Sequence, residues 1–317
     1  MVVLHHARAT RPWLFNPLEK YNAFSSGVDV FFVISGFVMY FAARNESYFD
    51  FLRKRIIRIA PLYWVATFAL FAINTNFHIW WMWMDAKVLS HLVKSLLFIP
   101  HFNLYNPDQV WPYLGPGWTL NYEMLFYFIF FVGLIFRRIL LVCTVAIIAL
   151  CCLGFFIESK GAILHVYTDP NLLEFLFGVW IAYAYTRGFF NKYSTVFLPL
   201  GFFGLLFLPF IGAPDPAGRI LCSSMLIIGA VSLGKNTRHN YLLNLLGDAS
   251  YSIYLTHTFI SLRLAESLWV RIPVEGGLQF AGWVVLTVFI SSVVGVAVHL
   301  FFEKPVLRWL RTKWKGP

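Results

Sequence analysis

The chain has 317 residues and a net charge of +10, with 59% hydrophobic and only 13% charged side chains. Soluble domains carry roughly twice that share of charge, so the composition excludes a soluble globular domain. The positive balance reads as membrane topology and attraction to anionic lipid rather than as a nucleic-acid footprint.

Apolar runs of about 15–22 residues recur between short polar links, which predicts an all-α, polytopic membrane bundle of about ten helices in a single domain covering residues 1–317. The first run, Met1–Ala7, ends at Arg8, Arg11 and Pro12. Its seven residues reach only about 10 Å against roughly 30 Å of hydrocarbon, so the first span reads as truncated. The second span is expected at Val28–Ala43. A basic loop follows, with Arg53, Lys54, Arg55 and Arg58, and Pro61 then opens the third span, Pro61–Phe77. The link from His78 to Gly117 contains a weakly apolar stretch, Leu89–Ile99, too short to cross and read as interfacial or re-entrant. Trp80, Trp81 and Trp83 in the same link read first as an interfacial belt, with sugar stacking as the sharper alternative. The remaining spans are expected at Trp118–Phe136, Ile139–Ile157, Leu172–Thr186, Val196–Ile211, Ile220–Leu233, about Ala249–Leu268 and about Phe280–Phe302. If the Arg53–Arg58 link is cytoplasmic, 16 of the 25 Lys and Arg residues fall on the cytoplasmic side, which places both termini inside. Cys143, Cys151, Cys152 and Cys222 lie in apolar runs without metal-ligand spacing and read as packing residues; no metal site is expected.

This topology sorts the polar residues by depth. His6, Asp29 and Glu123 fall toward the non-cytoplasmic side, Arg55 and Arg58 at the opposite face, and His257 and His299 within the ninth and tenth spans. Ionisable groups inside a bilayer are costly, which makes each a functional candidate. Arg55 and Arg58, three residues apart, share one helical face and suit a phosphate or pyrophosphate; the plainer reading is stop-transfer charge. Asp29 could cap or bond the helix that follows Ser25–Gly27. His257, with Asp248, Ser250 and Ser252, could line an acceptor path or form a helix-to-helix bond in the core. Glu303–Lys304–Pro305 reads as a structural turn with a local ion pair.

Six runs resemble the acyltransferase-3 type of integral membrane acyltransferase, in particular members that modify bacterial exopolysaccharide. They are VVLHHA at Val2–Ala7, GVDVFFVISGFVMY at Gly27–Tyr40, RKRIIRIAPLYW at Arg53–Trp64, GPGWTLNYEMLFY at Gly115–Tyr127, LGDASYSIYLTH at Leu246–His257 and FFEKPVLRWLR at Phe301–Arg311. The resemblance implies transfer of an acyl group, commonly acetyl, from cytoplasmic acyl-coenzyme A to a hydroxyl of an exported or cell-surface glycan. It implies a multi-pass location in the inner (cytoplasmic) membrane, with acyl-coenzyme A, a glycan or lipid-linked saccharide and the bilayer as partners. A homo-oligomer is compatible with it, nucleic acid is not expected, and the acceptor would be handled by the membrane domain itself.

The resemblance also distributes roles. His6 ends the first span where the family has its active histidine. His5 is the near competitor, but neighbouring helical residues diverge by about 100° and cannot both face one site. Glu123, or Asp29, would pair with His6, fixing its tautomer and stabilising the imidazolium. A transient acyl-histidine is the covalent variant. Arg55 and Arg58 take the place of the family's R-x-x-R pair for the donor phosphates, with Tyr63 beside them. Trp118 and His257 are the acceptor-side candidates. The alternative class is a proton-coupled transporter or flippase in which Asp29, Glu123, His257 and His299 form a relay. Its expected mark, paired broken helices in two matching halves, is absent from the sequence.

Overall fold

A computed structural model of the chain describes every residue except 9–15, 20, 44–45, 75–84, 158–160, 212–215, 235–239, 270–275 and 314–317. All regular structure among the described residues is helical. In chain order the helices are α1 (Val2–Ala7), α2 (Gly27–Ala43), α3 (Tyr48–Asn74), α4 (Ala86–Leu96), α5 (Trp118–Ile135), α6 (Ile139–Phe156), α7 (Ala162–Tyr167), α8 (Leu172–Thr186), α9 (Phe197–Phe207), α10 (Pro216–Gly234), α11 (Tyr241–Asp248), α12 (Ser250–Thr256), α13 (Leu262–Trp269), α14 (Gly276–Val298) and α15 (Lys304–Lys313). π-helical turns at His257–Ser261 and His299–Glu303 join α12 to α13 and α14 to α15.

Among the described residues, seven helices are long and apolar enough to cross a membrane: Ala23–Ala43, Tyr48–Asn74, Gly115–Ile135, Ile139–Phe156, Lys192–Phe210, Pro216–Gly234 and Gly276–Lys313. The chain is thus a polytopic helical membrane protein. Of the ten expected spans, the first, sixth and ninth are not among these seven. α1 has six residues and α8 has 15, or about 22 Å. The ninth stretch is helical through α12, the π turn and α13. The expected basic loop is helical instead: Arg53, Lys54, Arg55 and Arg58 lie in the first half of the 27-residue α3, and Pro61 sits inside that helix. Membrane helices tolerate proline because neighbouring groups can re-satisfy the carbonyl its ring leaves free.

The chain divides into two compact units. The first comprises Met1–Lys20, Ile56–Trp118 and His239–Pro317; the second comprises Tyr21–Arg55 and Thr119–Arg238. The first has a core of Leu262, Ala265, Trp269, Phe280, Trp283 and Ile290. There the Leu89–Ile99 stretch is largely α4, which is capped by Asp85 and buries Val88, His91, Leu92 and Ser95, an i, i+3, i+4, i+7 stripe. Trp80, Trp81 and Trp83 lie outside the described residues.

The second unit is built on the packing of α2 against α8. Gly36 lies against the Phe175 carbonyl and Gly178 against the Val33 carbonyl, so closely that a Cβ at either position would collide with backbone. Small residues of this kind let membrane helices approach where no hydrophobic effect drives them together. Phe175 stacks on Phe32 and Phe126 with ring centroids 4.5 Å apart in each pair, which fills the space beside the glycines.

Candidate active site

In the first unit α1 is pinned at its C-terminal end. The Trp283 Nε1–H donates to the Ala7 carbonyl at 2.6 Å. The Arg8 guanidinium donates to the carbonyls of Leu18 at 2.9 Å and Glu19 at 3.0 Å, and lies 3.2 Å from Nδ1 of His5. These bonds separate the two neighbouring histidines. His5 is engaged by Arg8, whereas the half-buried His6 turns to His257, with ring centroids 5.0 Å apart.

His257 is fully buried and opens the first π turn. Its Nδ1–H donates to the Tyr254 carbonyl at 2.6 Å, which leaves Nε2 as a proton-accepting lone pair. That Nε2 is buried and has no hydrogen-bond partner. Tyr254 in turn donates its hydroxyl to the Pro116 carbonyl at 2.8 Å. Two imidazoles on different helices therefore face each other, one of them held in a single tautomer. Single π turns inside α-helices recur at functional sites because the extra residue redirects a side chain.

The other residues expected near His257 go elsewhere. Asp248 and Ser250 are exposed, and Ser252 is buried with its hydroxyl donating to Glu303 Oε2 at 2.6 Å. Glu303, 2% exposed, is the centre of a second cluster. His299, four residues earlier across the second π turn, places Nδ1 2.8 Å from Oε2, and Arg58 places Nη1 3.3 Å from Oε1. The expected local pair of Glu303 with Lys304 gives way to this longer-range one. The turn keeps Glu303 on the buried side of its helix while Lys304 is exposed. Tyr63 is 1% exposed and donates its hydroxyl to the Ser95 carbonyl at 3.1 Å. Trp118, half-buried, opens α5.

The second unit holds the two expected acids. Glu123, 3% exposed in the second turn of α5, accepts from the Ser35 hydroxyl at 3.0 Å and from the Tyr127 hydroxyl at 2.9 Å. Asp29, also 3% exposed, pairs with Arg219 at 3.1 Å, and the buried Glu174 is grouped with both. Asp29 is thus matched by a side chain rather than by the backbone cap the sequence suggested. Arg55 lies 5.6 Å over the Phe51 ring. Its neighbours are matched to acids, Arg53 to Asp50 at 3.5 Å and Lys54 to Glu46 at 2.8 Å. Three of the four basic residues of α3 therefore pair with carboxylates, and Arg55 lies against an aromatic ring. Within a unit, the structure brings together His6 with His257 and ties Arg58 to Glu303; Glu123, Asp29 and Arg55 belong to the second unit.

Several of these partners were missed from sequence. Tyr127 stands at i+4 from Glu123 and Glu303 at i+4 from His299, a spacing that sequence does expose. Glu174 is an acid in an apolar run and was visible on that ground. Ser35, Arg219 and the pairing of Glu303 with Arg58 join distant parts of the chain and had no local signal.

A family model described as an acyltransferase domain, Acyl_transf_3, matches residues 1–301. The exopolysaccharide production protein ExoZ of Rhizobium meliloti (strain 1021) is 35% identical over 93% of this chain and 94% of its own length. No solved structure matches.

Proposed function

The chain belongs to the acyltransferase-3 family and is a membrane acyltransferase of the O-acetyltransferase type, and from that premise we propose that it moves an acetyl group from cytoplasmic acetyl-coenzyme A to a hydroxyl of an exopolysaccharide or its lipid-linked precursor. The acceptor class is suggested by the relative's name. The donor is suggested by the family resemblance and by the basic first half of α3, with Arg55 and Arg58 for the phosphates. The excess of Lys and Arg on one side suggests that this side faces the cytoplasm, and the family resemblance suggests the inner membrane.

The observation that carries the reading is the pair His6 and His257. A sugar hydroxyl is a poor nucleophile at neutral pH, and a neutral imidazole is the side chain suited to take its proton. In the proposed reaction His6 removes the hydroxyl proton as the oxygen attacks the thioester carbonyl. The carbon–sulfur bond breaks, and the imidazolium returns its proton to the departing thiolate. His257, held by Tyr254, supplies through Nε2 an acceptor that can hold a neighbouring hydroxyl of the same sugar and so orient the reacting one beside His6. Glu123 is proposed as a further catalytic group, on the strength of its place in the W-T-L-x-x-E run. The test uses purified protein with radiolabelled acetyl-coenzyme A and deacetylated exopolysaccharide. Label is expected in the polymer, and in His6→Ala the rate should fall by about 10²–10⁴. Label movement across the membrane without loss of the acyl group from coenzyme A would contradict the reading.

A further inference from the structure

One cavity is used by none of the chemistry above. It has a volume of about 940 Å³ and lies wholly within the second unit. It is lined where α2 ends at Ala43, α3 begins at Tyr48, α5 ends at Ile135 and α6 begins at Ile139. All four helices are long and apolar enough to cross a membrane, and the two connections concerned join consecutive crossings. Two such connections separated by a further pair of crossings fall on the same side, so the cavity sits at one membrane–water interface.

Its lining is graded in the way an amphiphile is. Leu140 and Leu141 of α6 give it an apolar wall. Tyr40, Tyr183 and Trp180 give it an aromatic one, with the Trp180 N–H bonded to Thr144 at 3.2 Å so that the ring is the surface presented. Arg137 and Arg138 stand at its polar edge, both exposed and neither in an ion pair among the described residues. The one acid in the lining, Glu46, is matched by Lys54 at 2.8 Å, so the cavity keeps a net positive edge.

The backbone adds a second, independent observation. α5 is closed by the Arg138 N–H donating to the Gly133 carbonyl at 3.0 Å and the Arg137 N–H to Leu134 at 3.1 Å, which puts Arg137 at φ 54°. This left-handed position after a helix is the one glycine fills most readily. A long cationic side chain stands there against the backbone's preference, and such outliers gather where a side chain is needed for something other than folding.

We propose that this cavity binds a membrane lipid by its anionic phosphate headgroup, with Arg137 and Arg138 on the phosphate and the apolar wall along the upper acyl chain. The size matches ligand pockets generally, and paired guanidiniums suit phosphate because each can donate two parallel hydrogen bonds. The proposal does not depend on the acyl-transfer reading, so its test uses no activity. Full-length protein in detergent is mixed with dioleoyl phosphatidylglycerol or dioleoyl phosphatidylcholine, and retained lipid is counted by native mass spectrometry. Wild type is expected to retain the anionic lipid about tenfold more than the zwitterionic one. Arg137→Gly keeps the left-handed turn while removing the charge, so it should melt no lower than wild type. Combined with Arg138→Gln it should abolish the preference, while Arg138→Lys alone should keep part of it. Equal retention of both lipids by wild type, or an unchanged preference in a double variant of unchanged melting temperature, would overturn the proposal. Release of the bound lipid by coenzyme A would overturn it too and assign the cavity to a nucleotide.

Discussion

His257 and Glu123 are both polar side chains buried in apolar helices, and they are held in opposite ways. Glu123 has each carboxylate oxygen matched by a hydroxyl, from Ser35 and from Tyr127. His257 has one nitrogen matched by a backbone carbonyl and the other unmatched, beside a second imidazole. A buried polar atom without a partner costs on the order of 1–3 kcal/mol. The first unit therefore holds proton-accepting capacity in reserve, and the second holds a carboxylate fixed in place. The difference separates a hydrogen-bond acceptor left open beside His6 from a carboxylate whose two oxygens are already engaged.

The largest way to break this comparison is kinetic. Glu123→Gln preserves shape and removes charge. If Glu123 stabilises the imidazolium formed in turnover, kcat should fall by about 10²–10³, as for other removed electrostatic stabilisers. Residues that act as one unit are non-additive, so His6→Ala combined with Glu123→Gln should be about as slow as His6→Ala alone. Losses that multiply would make Glu123 a structural acid of the second unit. The hydrogen bonds from Ser35 and Tyr127 predict that the Gln variant retains most of its stability, which thermal melting checks.

A second test compares the two arginines of α3. Arg58 is tied to a buried carboxylate, whereas Arg55 lies over an aromatic ring. Either Arg→Ala change should weaken acyl-coenzyme A binding by roughly ten- to hundredfold, the usual effect of losing a charge-assisted contact. Glu303→Gln should separate them. It leaves Arg58, Ser252 and His299 without their shared acceptor charge, so donor affinity should fall and stability should drop by about 1–3 kcal/mol. Arg55→Ala should change donor affinity with little loss of stability. Titration calorimetry and melting on the same samples decide between these outcomes.

The third test concerns a pair outside the candidate spans. His101 Nδ1 lies 2.7 Å from the Ile99 carbonyl and its Nε2 lies 2.7 Å from Nδ1 of His91, both histidines being buried. In the neutral arrangement each ring donates from Nδ1; a proton added to His101 Nε2 would face the His91 N–H, and one added to His91 Nε2 would be buried without a partner. Burial, then His101, then Lys94 push His91 down to about 4. Below its unfolded value of about 6.5 the unfolded chain binds the proton more readily, so stability falls as pH drops from about 6.5 toward 4 and levels off below. The share from His91 should reach at most about 1.4 kcal/mol per pH unit and should be lost in His91→Gln, leaving only the share of His101, whose pKa burial also lowers. A melting temperature that is flat over this range in wild type would contradict the assignment.

What could be read from sequence follows from what sequence encodes locally. The apolar run ending at Ala7 places His6 at the end of a helix, the 100° step between neighbours means that His5 and His6 cannot share one site, and the family resemblance selects His6. The acid in an apolar helix marked Glu123. Pro61 misled, because a breaker in a soluble helix is tolerated in a membrane one. Lys304 adjoins Glu303 and suggests a local pair, but the ion partner is Arg58, 245 positions away. The π turns at His257 and His299 were invisible as well. An inserted residue leaves the hydropathy of a span unchanged while rotating everything that follows it.

The central claim is that His6, facing His257, is the group that accepts the acceptor hydroxyl's proton. It is tested most directly by comparing His6→Ala with His5→Ala for acetyl transfer under saturating donor and acceptor, with donor binding measured in parallel. The account predicts that His6→Ala binds acetyl-coenzyme A as wild type does and transfers about 10²–10⁴ times more slowly, while His5→Ala keeps most of its activity. Full transfer by His6→Ala, or an equal loss in both variants, would contradict it.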